Sequence, residues 1–196
     1  MAQKPKILAF AGSLRTDSYN KQLLKIAADA AQEAGCEVKI IDFKNYPMPI
    51  YDADIEEEEG LPGYAKEFKM LMVEADGFLI SAPEYNSSLS AVLKNSIDWA
   101  SRPEDNDPYP LWPFKGKTAA LLSASPGRLG GLRGLFHLRD VLQNIYINVL
   151  PEMYALNKAD SAFNPDGSLI SENKQKAAES VGKNLAQYLL KLQDKE

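Results

Sequence analysis

Residues 6–20 read Lys6-Ile7-Leu8-Ala9-Phe10-Ala11-Gly12-Ser13-Leu14-Arg15-Thr16-Asp17-Ser18-Tyr19-Asn20, and this stretch decides the fold. An apolar run, Ile7 to Ala11, ends at Gly12. Hydroxyl and amide side chains and one arginine follow, and a helical pattern begins where they stop. That order predicts a strand, a phosphate-sized loop and a helix start. A strand that aims its carboxyl end at a helix N-terminus makes an anion site, because free backbone N–H groups and the positive end of the helix dipole converge there.

From this unit outward, apolar runs alternate with helical patterns. Leu23, Leu24, Ala27, Ala28 and Ala31 fall at helical spacing and stop near Gly35. Val38–Ile41, Gly77–Ala82, Thr118–Ala124 and Ile145–Val149 read as four further strands. Helices are expected over Tyr64 to Glu74, around Leu89 to Ala100, around Leu132 to Leu142, and along the stripe Ala178, Val181, Leu185, Leu189 and Leu192. Asn45 to Pro62 reads as a loop, with Glu56–Glu59 as a solvated stretch or a helix start. This alternation predicts an α/β fold, a parallel sheet wound right-handed with helices on both faces. Nothing repeats internally, and the chain is read as a single domain over residues 1–196.

Bulk composition narrows the function. The chain has 196 residues, 45% hydrophobic and 25% charged, ordinary values for a globular protein. A net charge of −5 argues against nucleic acid or an anionic membrane as partner. Cys36 is the only cysteine, so no internal disulfide can form. No apolar run approaches the roughly 20 residues that span a bilayer, and residues 1–11 are not expected to act as a leader peptide. A cytoplasmic location is expected.

In an open parallel sheet, ligands bind beyond the carboxyl ends of the strands. Three loops fall there. In the first, Ser13, Arg15, Ser18 and Asn20 offer donors within one tight turn, and arginine adds a charge-assisted bond to a phosphate. The competing reading makes Ser18 a simple helix cap and Arg15 a surface residue. The second loop, Pro83-Glu84-Tyr85-Asn86-Ser87-Ser88-Leu89, sets an aromatic ring among amide and hydroxyl groups, which suits a flat heterocycle. Its competing reading is a turn with an asparagine cap. In the third, Ser123 to Gly131, Gly127, Gly130 and Gly131 would let backbone approach a ligand. Gly116-Lys117-Thr118 is not a P-loop, because position 111 is leucine and a strand follows where a helix is required. No G-x-G-x-x-G occurs, so a mononucleotide fits better than a tightly held dinucleotide.

With these loops the chain resembles the NADPH-dependent FMN reductase family, which is flavodoxin-like in fold and includes quinone, chromate and azo-dye reductases. The matching segments are Gly12-Ser-Leu-Arg15 with Ser18 and Asn20, Pro83-Glu-Tyr-Asn86 followed by Leu93-Lys-Asn-Ser-Ile-Asp-Trp99, and Ser125-Pro-Gly127 with Gly130-Gly131. Pro49-Ile-Tyr-Asp52 is similar to the family's loop after strand two. The resemblance implies a flavodoxin-like doubly wound five-stranded sheet in order 2-1-3-4-5, with FMN beside strand one. Ser13, Arg15, Ser18 and Asn20 would hold its phosphate. Pro83, Glu84, Tyr85 and Asn86 would line the ring, and Ser125 and Gly127 would close the far edge.

The implied activity is an NAD(P)H-dependent oxidoreductase. Hydride would pass from NADPH or NADH to FMN and then to a quinone, azo compound, metal oxyanion or similar small-molecule acceptor. No side-chain catalyst and no metal is called for. The alternative is a flavodoxin-type electron carrier. Family members are often dimers or tetramers, so a homodimer or homotetramer is expected. Arg128 and Arg133 are candidates for the NADPH 2′-phosphate. His137 is read as a packed or interface residue. Arg102 to Trp112 is expected as an extended loop near the site, and Ser161–Ser171 is left without a place.

Overall fold

The apolar runs form a parallel sheet in the computed structural model, which describes residues 4–193. The elements in chain order are β1 (Lys6–Ala11), α1 (Tyr19–Glu33), β2 (Glu37–Ile41), α2 (Ala53–Glu59), α3 (Gly63–Glu74) and β3 (Gly77–Ser81). They continue with α4 (Ala91–Ala100), β4 (Thr118–Ala124), α5 (Leu132–Asn144), β5 (Asn148–Val149), β6 (Tyr154–Leu156) and α6 (Glu172–Gln193). The strand order is β2-β1-β3-β4-β5, with β6 also paired to β4. β3 and β4 are buried at every position, which is why they read as unbroken apolar runs rather than as alternation.

Two cores flank the sheet. On one face Ile7, Ala9, Leu79 and Leu122 pack under α1 and α6. On the other, Leu8, Phe10, Phe78 and Leu121 pack under α3, α4 and α5. Phe10, Phe43 and Phe68 meet edge to face there, at centroid distances of 5.2 to 5.6 Å.

Three expectations need correction, and one unplaced segment finds its place. The run Ile145–Val149 is not one strand. Its first residues close α5, with Tyr146 in a left-handed conformation (φ 68°), and only Asn148–Val149 pair with β4. Pro151 then interrupts the edge, and the unforeseen β6 resumes the pairing further along, from Leu122↔Tyr154 to Ala124↔Leu156. Asn45 to Pro62 is not wholly a loop: Asp52 accepts from Asp54 N at 3.0 Å and so caps the short helix α2. The Arg102–Trp112 segment lies away from the strand carboxyl ends. It joins the end of α4 to the start of β4, and a parallel crossover must bring the chain back to the amino edge of the sheet. There the buried Lys69 holds it, with Nζ 2.5 Å from Asp107 Oδ2 and 2.9 Å from the Arg102 carbonyl. The unplaced Ser161–Ser171 forms a hairpin, bridged at Phe163↔Leu169, beside the start of α1.

Candidate active site

The first loop leaves its donors free. Ser18 is the N-cap of α1 with extended backbone (φ −84°, ψ 125°), yet its hydroxyl makes no capping bond. Ser13 and Ser18 are only 3% and 4% exposed; the Ser13 hydroxyl oxygen accepts from Arg15 N at 3.3 Å, and its O–H, like that of Ser18, has no acceptor among the described residues. The N–H groups of Thr16, Asp17 and Ser18 have no hydrogen-bond acceptor among the described residues. The Arg15 guanidinium lies over the Tyr19 ring at 5.6 Å, and Tyr19 in turn stacks nearly parallel on Phe163, 6° between planes.

Asn20 plays a different part. Its Nδ2 donates to the Ala124 carbonyl at 2.9 Å, and its Oδ1 accepts from Ala124 N and Ser81 Oγ, each at 3.0 Å. It fastens the start of α1 to the ends of β3 and β4. Most of its polar capacity is spent there, so its side chain fixes the loop and contributes at most one further N–H.

The second loop is a tight reversal. Tyr85 and Ser88 exchange backbone bonds at 2.9 and 3.1 Å, and the two residues between them, Asn86 and Ser87, have φ of 51° and 66°. Asparagine tolerates that left-handed region because its short side chain bonds locally. Asn86 therefore makes the turn and does not cap α4. Ser90 is the cap: its Oγ accepts from Leu93 N at 3.4 Å and donates to the Gly12 carbonyl at 2.6 Å, joining the first two loops. The Tyr85 side chain is 54% exposed on the rim.

Glu84 turns away from the turn tip. Its Oε1 accepts from Arg133 Nε at 2.9 Å and Nη2 at 2.5 Å, and its Oε2 accepts from Gly134 N at 3.1 Å. Burial pushes this carboxyl upward, but the bonds from Arg133 and Gly134 outweigh it and hold the group below the usual range.

In the third loop, Ser125 N donates to the Leu156 carbonyl at 3.0 Å, and Ser125 Oγ accepts from Gly127 N at 3.1 Å. The glycines answer to packing. A Cβ at Gly130 would stand 2.7 Å from the Leu156 carbonyl carbon, and one at Gly131 would stand 1.9 Å from Ser123 Oγ. Both have positive φ, 62° and 94°. Close approach to β4 and β6 explains them without a ligand.

Eight predicted residues, Ser13, Arg15, Ser18, Asn20, Pro83, Glu84, Tyr85 and Ser125, line one cleft of about 160 Å³ beyond the ends of β1, β3 and β4. Asn86 and Gly127 do not line it. Tyr19, Ala124 and Pro126 do, and were not foreseen. Tyr19 had a local signal, since Arg15 stands four residues before it, within reach of its ring. A larger groove of about 380 Å³ runs between α1, the hairpin and α6, but its walls carry Lys25, Asp29, Glu33 and Glu179 without convergent donors. Arg133 is committed to Glu84. His137, expected as a packed or interface residue, is exposed on the single chain, which leaves the interface reading, with Nδ1 3.2 Å from Ser88 Oγ. No described helix is long and apolar enough to cross a membrane.

A flavodoxin-like sheet order with polar loops converging at the ends of strands one, three and four defines a nucleotide-binding flavoprotein class. The chain belongs to the NADPH-dependent FMN reductase family, whose model matches residues 5–161. It is 37% identical over 187 residues to the NAD(P)H-dependent FMN reductase PA1204 of Pseudomonas aeruginosa, covering 94% of each chain. It is 34% identical over 201 residues to an NADPH:quinone oxidoreductase of Arabidopsis thaliana, covering 97% of this chain and 94% of that one. The solved structure of FerB, a flavoenzyme NAD(P)H:(acceptor) oxidoreductase from Paracoccus denitrificans, aligns with a TM-score of 0.79 at 28% identity, over 95% of this chain and 98% of that one. The protein is thus an oxidoreductase enzyme that uses FMN and a reduced nicotinamide.

The donor set fits that cofactor. Two little-exposed serines and an arginine line the cleft, three unengaged N–H groups lie on the same loop, and the single carboxylate in the cleft lining is already paired with Arg133.

Proposed function

We propose that this enzyme is a quinone reductase whose FMN phosphate is held by the first loop. The free donors around Ser13, Arg15 and Ser18 carry the reading. Hydrogen bonds to a charged group contribute roughly 1.5–3 kcal/mol each, and phosphate can engage several at once. When bound, FMN supplies a ring that takes hydride and passes electrons on. The protein's residues position it. Asn20 fixes the phosphate loop against the sheet. Pro83 and Tyr85 offer apolar and aromatic surface to the ring. The N–H groups of Asn86 and Ser87, without acceptors among the described residues, are available to ring oxygens. Quinone as acceptor is supported by the Arabidopsis relative and by the Burkholderia relative named 2-hydroxy-1,4-benzoquinone reductase, 36% identical over 173 residues.

We further propose a homodimer or homotetramer located in the cytoplasm. A cleft of about 160 Å³ is smaller than the roughly 300–1,000 Å³ of a complete small-molecule site, so a second copy would supply the remaining wall. The exposed Leu14, Tyr85, Leu129 and Phe136 offer apolar surface for it on the loops and on α5. A reduced nicotinamide as co-substrate and the free thiol of Cys36 suit the cytoplasm.

The test compares Arg15→Ala with the parent protein. Fluorescence titration should show FMN binding weakened by about tenfold, with riboflavin, which lacks the phosphate, bound as before. Steady-state assays with quinones, azo dyes and metal oxyanions as separate arms should give the highest kcat/KM for a quinone. Equal loss of FMN and riboflavin would overturn the phosphate assignment, and a faster azo or oxyanion arm would overturn the acceptor.

A further inference from the structure

Glu84 sits in the ring-facing loop, yet every bond its carboxylate makes reaches α5. We infer that Glu84 is a positioning residue: it latches the Tyr85–Ser88 turn onto the amino end of α5 through Arg133 and the Gly134 amide. This inference rests on the reading that the turn faces the flavin ring.

Four observations converge on one helix face. The N-cap of α5 is Gly131, which has no side chain with which to cap, and no acidic residue stands in the first turn. Glu84 supplies both missing features from 50 residues away, since its Oε2 accepts from Gly134 N at 3.1 Å and its negative charge lies at the positive end of the helix. Arg133 closes on the other oxygen with two N–H groups, and the Glu84 side chain is 8% exposed where that of Arg133 is 56% exposed. Gly134 must then be small. A Cβ there would come within 3.2 Å of the Ser88 carbonyl and 3.3 Å of Glu84 Cβ, so the turn lies directly on the helix. One turn later, His137 Nδ1 meets Ser88 Oγ at 3.2 Å. Residues 133, 134 and 137 thus grip both ends of a turn whose two central residues hold left-handed conformations. Asn86 and Ser87 need such support, because non-glycine residues in that region relax when released.

The pair also sets charge. Glu84 and Arg133 together are neutral. Removing Arg133 leaves a carboxylate beside the cleft, and removing the Glu84 charge leaves a cation. A structural role alone would damage binding in both variants without separating them. The latch predicts equal loss of grip with opposite electrostatic signatures.

The experiment measures FMN and riboflavin affinity by fluorescence quenching, and the flavin midpoint potential, in Glu84→Gln, Arg133→Ala and the double variant. Each single variant should weaken FMN and riboflavin by the same factor, roughly three- to tenfold, since the latch acts on the ring and Arg133 is partly solvated. The double variant should be no weaker than the worse single. Arg133→Ala should make the potential more negative and Glu84→Gln more positive. Arg133→Lys should restore part of the affinity. Unchanged riboflavin affinity in both singles, or losses that multiply in the double variant, would overturn the latch. Because Arg133 is exposed, its substitution leaves the core intact and keeps the test valid if Glu84→Gln folds poorly. Arg15→Ala separates the two readings: should it lower FMN and riboflavin alike, the phosphate assignment fails while the latch stands or falls on its own riboflavin data.

Discussion

Replacing Asn20 by alanine removes three hydrogen bonds that join the start of α1 to the ends of β3 and β4. The Ala124 amide, the Ala124 carbonyl and the Ser81 hydroxyl lose their partner in a site with Asn20 4% and Ser81 0% exposed. An unsatisfied buried group costs about 1–3 kcal/mol, so Asn20→Ala should lower the unfolding free energy by about 2–4 kcal/mol in urea titration, with and without FMN. A loss below about 1 kcal/mol would mean that the freed groups find other partners. The sequence reading placed Asn20 among the phosphate donors because it is a polar residue in a phosphate-sized loop. Its true partners stand 61 and 104 positions away, and no local pattern announces them. Glu84 does line the cleft, but its partners Arg133 and Gly134, 49 and 50 positions away, were equally invisible to a local reading. That Ser13, Arg15 and Ser18 share one cleft was legible because a strand, a donor-rich loop and a helix start are consecutive in the chain.

Among the elements, α1 and α6 approach one another through small residues, Ala27, Ala28 and Ala31 on one side and Ala178, Gly182 and Ala186 on the other. A Cβ at Gly182 would stand 1.8 Å from the Ala27 carbonyl oxygen, which is backbone and cannot swing aside. Gly182→Ala should gain about 1 kcal/mol of helix propensity and lose more through forced separation of the helices. The expected net effect is destabilisation by about 2 kcal/mol in thermal or urea unfolding, and a stabilised variant would show that α6 can slide freely over α1. At this scale the sheet was readable in advance, since strands buried on both faces leave unbroken apolar runs. β6 was not. It has three residues, follows a proline, and owes its existence to the edge that β4 leaves open after β5 stops. Gly130 and Gly131 suggested a ligand loop, whereas the backbone of β6 lies against Gly130 and the Ser123 side chain of β4 against Gly131.

Across the whole molecule, two carboxylates that join separate elements, Asp42 between the end of β2 and α1 and Glu84 between the second loop and α5, are both held below their usual range. At Asp42 burial acts upward, but the bonds from Lys21 Nζ (2.6 Å) and Lys44 N (3.0 Å) prevail. Glu84 behaves likewise toward Arg133 and Gly134. A depressed folded-state value means that the unfolded chain binds protons first as pH falls. The stability these groups contribute is therefore complete above their unfolded values, near 4, and is lost as pH drops through the lower folded values. Between pH 7 and 5 both are ionised in both states, so they impose no slope. The melting temperature should hold level over that interval and fall below about pH 4. Glu84→Gln should melt lower than the parent at pH 7, where the latch is broken, and converge toward it in acid, where the parent's own carboxylate is protonated. Melting curves from pH 7 to 3 check this. Parallel curves with a constant gap would mean that the Glu84 charge adds nothing to the hold on α5, and that the geometry of the turn alone keeps the ring-facing loop in place.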